Sequence, residues 1–416
     1  MRASAHESAD RGGSGRLGVR VRRVEGAPVV AVRLVACGGA RVETRPGQAL
    51  VTGRALEEGS LRRDWRQIAD EAESRGMMLA SFATFEGHGV NVDALADDWE
   101  LALDWGAELL LSPAFPAERC AWVAKQAAAE LESLADEPEV KTSWGFLEQL
   151  YAPHPRRRPL QGDVASLEAL TPADCAEFHR DAMGQRLIVA VAGVIDEEAV
   201  RRRLRGLFAD LPPGRAPLPE PAPPAGLPGR RREVAIEAHD QAHLYVGHLT
   251  VPRRHPDYTA LEVLAVVLGS GAGLTGRIPA RIREREGLAY TAHAQTVAGA
   301  GLDPGRMFAY LGTSPATVEQ AERGVVEEIS RLVEDGIEPA ELEEARAYLL
   351  GREPFRRETA RQWADLLLES EQYGIPLDDP SRRRADLLAL DRPAVASAAR
   401  RHIRPDALRV TVGLPK

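Results

Sequence analysis

Lysine is almost missing from this chain: Lys125, Lys141 and Lys416 are the only three among 53 basic residues. Arginine carries the rest of the positive charge, yet the formal net charge is −9. That balance argues against nucleic acid as the main partner. The runs Arg156–Arg158, Arg230–Arg232 and Arg382–Arg384 therefore read as solvated surface. Cysteine is as scarce. Cys37, Cys120 and Cys175 are scattered without metal-ligand spacing, so neither a disulfide framework nor a cysteine zinc site is expected. Long apolar runs are absent too. A membrane-spanning helix needs ~20 apolar residues; the longest runs here, such as Leu187–Val194, fit buried strands, and no membrane partner is expected. Residues Met1–Gly15 are polar and Gly/Ser-rich, without the apolar core of a signal peptide. Residues 1–15 are expected to form a disordered tail, and the protein to reside in the reducing cytoplasm.

What is present suits a globular chain. Its 416 residues are 44% hydrophobic and 28% charged, enough to bury sizeable cores in more than one domain. Proline crowds into one segment, Pro212 to Pro224, which reads as a stiff extended linker (residues 212–230) near the middle of the chain. The two halves it separates, 16–211 and 231–416, look duplicated. Leu167, Ala169, Leu170, Ala176, Arg180 and Gly193 recur as Leu387, Ala389, Leu390, Ala396, Arg400 and Gly413 at a constant offset of 220. In each half these residues run through a Thr or Asp cap, a proline in the first helical turn, a helix and an apolar strand. Each half opens on a strand (Pro28–Ala36; Val234–Leu249) followed by an apolar helix (Gln48–Glu57; Tyr258–Leu268). A second helix then ends on Gly76 or Gly287 before another strand. Long amphipathic helices follow at Pro116–Ala135 and Ala316–Glu334. The fold class is therefore α+β: two duplicated domains, each a mostly antiparallel sheet with helices packed on one face.

Several stretches carry a family resemblance: Gly47-Gln48-Ala49 with Glu58-Gly59-Ser60, Pro138 with the helix before it, Leu170–Gly193, and Arg283 to Gly287-Leu288-Ala289-Tyr290. With them the chain, from Gly18 to Gly413, resembles the pitrilysin/insulinase-like zinc metallopeptidases. That family includes the mitochondrial processing peptidases and short bacterial members that pair as two-subunit enzymes. The resemblance implies one half-shell of a clamshell. It also implies H-x-x-E-H on the first helix, where two histidines one turn apart bind zinc and the glutamate acts as base. Here those positions read Leu50-Val51-Thr52-Gly53-Arg54. Leu50 and Arg54 replace the two histidines, and Gly53 replaces the base. The distal ligand position corresponds to Glu130, read as a helix-face carboxylate or an ion pair with Arg54. No metal is expected in this chain.

No other centre replaces the lost one. His239, His243 and His248 lie along one expected strand without ligand spacing, and no Gly-x-Ser-x-Gly elbow occurs. Gly269-Ser270-Gly271-Ala272-Gly273 lacks the Lys-Ser/Thr of a phosphate loop. By the resemblance, Gly269, Gly271, Gly273 and Gly276 belong to a substrate-contact loop. The same resemblance assigns Arg283 and Tyr290, seven residues apart, to a pair that supports the oxyanion of peptide hydrolysis. The implied function is that of a non-catalytic companion subunit. It would bind no cofactor of its own, would pair with a homologous H-x-x-E-H subunit that holds the zinc, and would enclose an extended peptide. The alternatives are a structural or peptide-holding protein, as with the core subunits of the respiratory bc1 complex, and a companion in cofactor-precursor peptide processing.

Overall fold

The computed structural model describes residues 10–11, 16–211, 214–237, 240–271, 276–376 and 380–416. Eleven strands are described: β1 Asp10–Arg11, β2 Leu17–Arg23, β3 Val29–Cys37, β4 Met78–Ala83, β5 Gly87–Leu95, β6 Leu187–Gly193, β7 Arg231–Ile236, β8 Ala242–Leu249, β9 Ala289–Ala298, β10 Arg306–Thr313 and β11 Arg409–Pro415. They form two sheets, ordered β1-β2-β6-β3-β5-β4 and β7-β11-β8-β10-β9. The short edge pairing of Asp10–Arg11 aside, the two orders are the same. Each has one parallel pair, β2 with β6 and β7 with β11, and is otherwise antiparallel. The α+β class and the duplication thus hold at the level of strand order. In the N-terminal tail, residues 1–9 and 12–15 lie outside the described residues, while Asp10 and Arg11 pair with Val19 and Gly18.

The compact units are not the contiguous halves 16–211 and 231–416. The first unit gathers residues 1–131, 160–221 and 356–377; the second gathers 132–159, 222–355 and 378–416. Each unit therefore includes one helix from the other half of the sequence. In the first, the helix Ala360–Tyr373 packs Trp363, Ala364 and Leu367 on Ala31, Ala190 and Ala192. Arg33, 3% exposed, holds it further through Asp365 (2.6 Å) and also bonds Asp93 (3.0 Å). In the second unit, the helix Pro138–Tyr151 packs Phe146, Leu150 and Tyr151 on Tyr245, Phe308 and Tyr310.

These two helices add to the expectation of helices on one face. Most helices do pack on a single face, where Leu244, Val246, Ala309 and Leu311 meet the apolar stripe Val318, Ala321, Val325, Ile329 and Leu332 of the helix Val318–Asp335. That stripe recurs every three or four residues, one side of a helix. Tyr245 and Tyr310, of opposite strand parity, face the other way and need their own cover. Two local details also differ from expectation. The stretch Val234–Leu249 is two strands, β7 and β8. His239 lies outside the described residues, and His243 and His248 both sit on β8. The helix Trp99–Leu111 follows β5 as Val318–Asp335 follows β10, so Ala117–Ala135 corresponds in order to Pro339–Arg352. The segment 214–230 carries no helix or strand; Pro212 and Pro213 lie outside the described residues.

Candidate functional site

The first helix, Gln48–Arg54, presents the positions where the resemblance placed a metal centre. Leu50 is buried at 3% exposure and offers no donor atom. Gly53 packs directly on β4: a Cβ built there would lie 2.5 Å from the Phe82 carbonyl oxygen and 2.8 Å from the Ala83 Cβ. No side chain fits at the position of the base. Arg54 Nη1 lies 2.8 Å from Glu130 Oε2, and Gln161 Nε2 lies 2.8 Å from Glu130 Oε1. Both carboxylate oxygens of Glu130 are taken. The bond from Arg54, joined by that from Gln161, holds its carboxyl below the usual range against the opposing effect of partial burial. Arg54 and Glu130 each remain more than a third exposed, so the pair adds little to stability. Leucine, a glycine without room for a side chain and a guanidinium do not suit zinc.

In the second unit, the segment Arg277–Arg285 ends in a wide turn in which the Glu286 N–H donates to the Arg281 carbonyl at 3.0 Å. Gly287 follows at φ 63°, a conformation that favours glycine, and turns the chain into β9. Gly76 has the same φ of 63° before β4, so the repeat extends to the turn. Two arginines of the turn, Arg281 and Arg283, differ. Arg281 bonds Glu286, Glu327 and Glu328. Arg283 makes no ion pair among the described residues, and its guanidinium carbon stands 5.4 Å from the Tyr290 ring centroid. Tyr290 is 81% exposed. A solvent-facing phenol with a cation on its ring can donate to a developing oxyanion, and a half-exposed guanidinium beside it can do the same.

The expected glycine loop is only partly described, since Gly273 lies outside the described residues. At its ends, Gly269 (φ 147°) and Gly276 (φ 114°) touch backbone to backbone: a Cβ on Gly276 would lie 2.6 Å from the Gly269 Cα. That contact requires glycine at 276, while at 269 a Cβ would lie 2.8 Å from the Pro279 ring. Gly271 is extended (φ −71°, ψ −164°).

The fold also assembles groups that sequence spacing could not reveal. His255, Asp257 and His402 bring ligand-type atoms within 4.8 Å of one another. Their bonding is internal. Asp257 Oδ2 accepts from His402 Nε2 (2.7 Å) and Arg401 (2.9 Å), and the Asp257 N–H donates to His255 Nδ1 (3.1 Å). The arrangement joins the start of the helix Tyr258–Ala265 to the end of the helix Arg392–His402, with each charge at the favourable helix end. With Asp257 and His402 145 positions apart, no local pattern signals it. A second group, His243, Tyr310 and Glu139, lies where the helix Pro138–Tyr151 covers the second sheet, beside an open pocket of about 600 Å³ that Tyr290 also lines.

Residues 19–163 match the model of insulinase (peptidase family M16), and residues 169–349 match that of the peptidase M16 inactive domain. An uncharacterized zinc protease of Mycobacterium leprae is 30% identical over 352 residues, covering 80% of this chain and 76% of that protein. The chain belongs to the M16 peptidase family. Other M16 relatives include the non-peptidase homolog YmxG of Helicobacter pylori, 24% identical and covering 80% of this chain and 76% of that protein. The beta subunit of the mitochondrial-processing peptidase of Saccharomyces cerevisiae is 22% identical, covering 70% and 66%. Among solved structures, the peptidase M16 inactive domain from Pseudomonas fluorescens aligns at a TM-score of 0.86 with 24% identity over 96% of both chains, which shows a shared fold. The inactive-domain match and the non-peptidase relative fit an M16 chain that is peptidase-like and non-catalytic. Among the described residues, no helix is long and apolar enough to cross a membrane.

Proposed function

We propose that this M16 chain is the non-catalytic companion of a homologous subunit that carries H-x-x-E-H, and that it holds an extended peptide and lends Arg283 and Tyr290 to the partner's reaction. One contrast carries the reading. The metal and base positions are filled by an ion pair and a closed backbone contact, whereas Arg283 and Tyr290 stay paired, unencumbered and facing solvent. A chain serving as scaffold alone has no use for an exposed phenol under a guanidinium. Zinc bound in the partner supplies the activated water. As that water adds to a peptide carbonyl, charge grows on the oxygen. Tyr290 donates its O–H there, and Arg283 donates an N–H and adds positive charge. The cofactor belongs to the partner, and the substrate is a peptide or unfolded segment that can lie extended along a sheet edge.

The test is co-expression with an H-x-x-E-H homologue, followed by size-exclusion chromatography and peptide turnover. Co-elution is expected, and Tyr290→Phe or Arg283→Ala in the complex should lower kcat ~10²–10³-fold, the usual loss for one oxyanion donor. Glu130→Gln should leave turnover near wild type, because its zinc partners are gone. Separate elution at micromolar concentration would overturn the companion role, as would full turnover by Tyr290→Phe. A self-paired dimer would favour a structural protein.

A further inference from the structure

The open pocket beside Tyr290 carries a chemical signature of its own. It lies where β8 and β9 begin and β10 ends, with Glu237, Asp240, Gln241 and His243 along one side and the backbone of Gly312 to Ser314 along another. The proton on His243 can be located by bonding. Glu139 accepts from the Tyr310 O–H (3.0 Å), so the Tyr310 oxygen must itself accept from His243 Nδ1 (2.9 Å). The imidazole is therefore the Nδ1–H tautomer with a bare lone pair at Nε2. His243 is 7% exposed, lines the pocket, and its Nε2 has no bonding partner among the described residues. Burial favours its neutral form. At the pocket wall that lone pair is left for a donor from water or a ligand.

The carboxylates extend the same bias. Asp240 is exposed and makes no ion pair among the described residues, and Glu237 is shared with Lys416. Apart from the Gln241 amide and hydroxyl groups, the polar side chains lining the pocket offer acceptors, and the charged ones, Asp240 and the Lys416-paired Glu237, are negative. We infer that this pocket is a subsite for a cationic nitrogen, an ammonium or guanidinium carried by the bound peptide; the inference rests on the peptide-holding reading above. A cationic N–H satisfies His243 Nε2 and the Asp240 carboxylate together, which neither an apolar nor an acidic side chain can do. The source is a basic side chain or a free peptide N-terminus, which share this chemistry.

The experiment measures affinity of the full chain for fluorescent peptides of ~12 residues by anisotropy. One peptide is N-acetylated with a single lysine. The second replaces that lysine by norleucine. The third keeps norleucine and frees the N-terminus. The lysine peptide is expected to bind about tenfold more tightly than the acetylated norleucine peptide, the scale of one charge-assisted hydrogen bond. The preference should shrink with added salt. Equal gain from the third peptide would name the N-terminus as the source, and no gain would name the side chain. Asp240→Asn, at an exposed position, should remove most of the preference without changing affinity for the norleucine peptide; His243→Gln is the second variant. Equal binding of the lysine and acetylated norleucine peptides, or a preference that survives both variants, would overturn the subsite and leave peptide holding intact. Failure of every peptide to bind would overturn both.

Discussion

Replacing Gly53 by alanine should destabilise this protein, which is the opposite of the usual sign. Glycine within a helix costs ~0.5–1 kcal/mol relative to alanine, so an open helical glycine gains by the change. Gly206, in the helix Glu197–Leu207, has nothing within 4 Å of a built Cβ, and Gly206→Ala should gain up to about that amount. At Gly53 the built Cβ stands 2.5 Å from the Phe82 carbonyl oxygen. That oxygen is backbone, and Phe82 is paired with Gly89 in the β4–β5 ladder, so it cannot swing aside as a side chain would. Overpacking of this kind costs ~1–3 kcal/mol. Less the helix gain of up to ~1 kcal/mol, Gly53→Ala should lose ~0–2 kcal/mol. The gap between the two variants is then ~1–3 kcal/mol. Both glycines lie in the first unit, so the same urea transition reports both, read as a midpoint shift at constant m. A midpoint for Gly53→Ala at or above that of Gly206→Ala would refute the reasoning. Gly53→Glu carries the same clash, so the lost base cannot return without moving β4.

The purified chain should hold no stoichiometric zinc and cleave no peptide, and the triple change Leu50→His, Gly53→Glu, Arg54→His should not restore either. One tightly held zinc per chain by elemental analysis, or chelator-sensitive cleavage, would contradict this. Stability should fall with acid through the buried pair His88 and His179, whose rings bond at 2.9 Å. Burial pushes His88 well below 6.5 and His179 to about 4. The unfolded chain therefore binds more protons than the folded one below the ordinary value, and stability present above pH 6.5 is lost as pH falls toward about 4. Urea midpoints across that range check it; a flat profile would contradict it.

Much of the architecture is legible from pattern. The offset of 220 between Leu167 and Leu387, and between Gly193 and Gly413, marked the repeat; the two sheets repeat one strand order. Gly76 and Gly287 were readable as turn glycines because a left-handed residue after a helix favours that type. The expectation of no zinc rests on the residue types Leu50, Gly53 and Arg54 alone. These features depend on side-chain identity and on periodicities of two to four residues, which are local.

Only the tertiary structure decided which surfaces meet. Two helices, Pro138–Tyr151 and Ala360–Tyr373, join compact units centred on the other half of the sequence. Their apolar stripes state that they pack and leave open on what. The closure of β4 over Gly53 is likewise a contact between elements, and a glycine in a helix pattern carries no trace of it. Arg281 and Arg283 are two residues apart, yet one meets three glutamates and the other a tyrosine ring, because the wide turn points them differently. The lone pair of His243 depends on a hydrogen bond to Tyr310, 67 residues away, and on where Glu139 sits. Residue types and their spacing set what each segment could do. Contacts across tens to hundreds of residues set which of those capacities remained available.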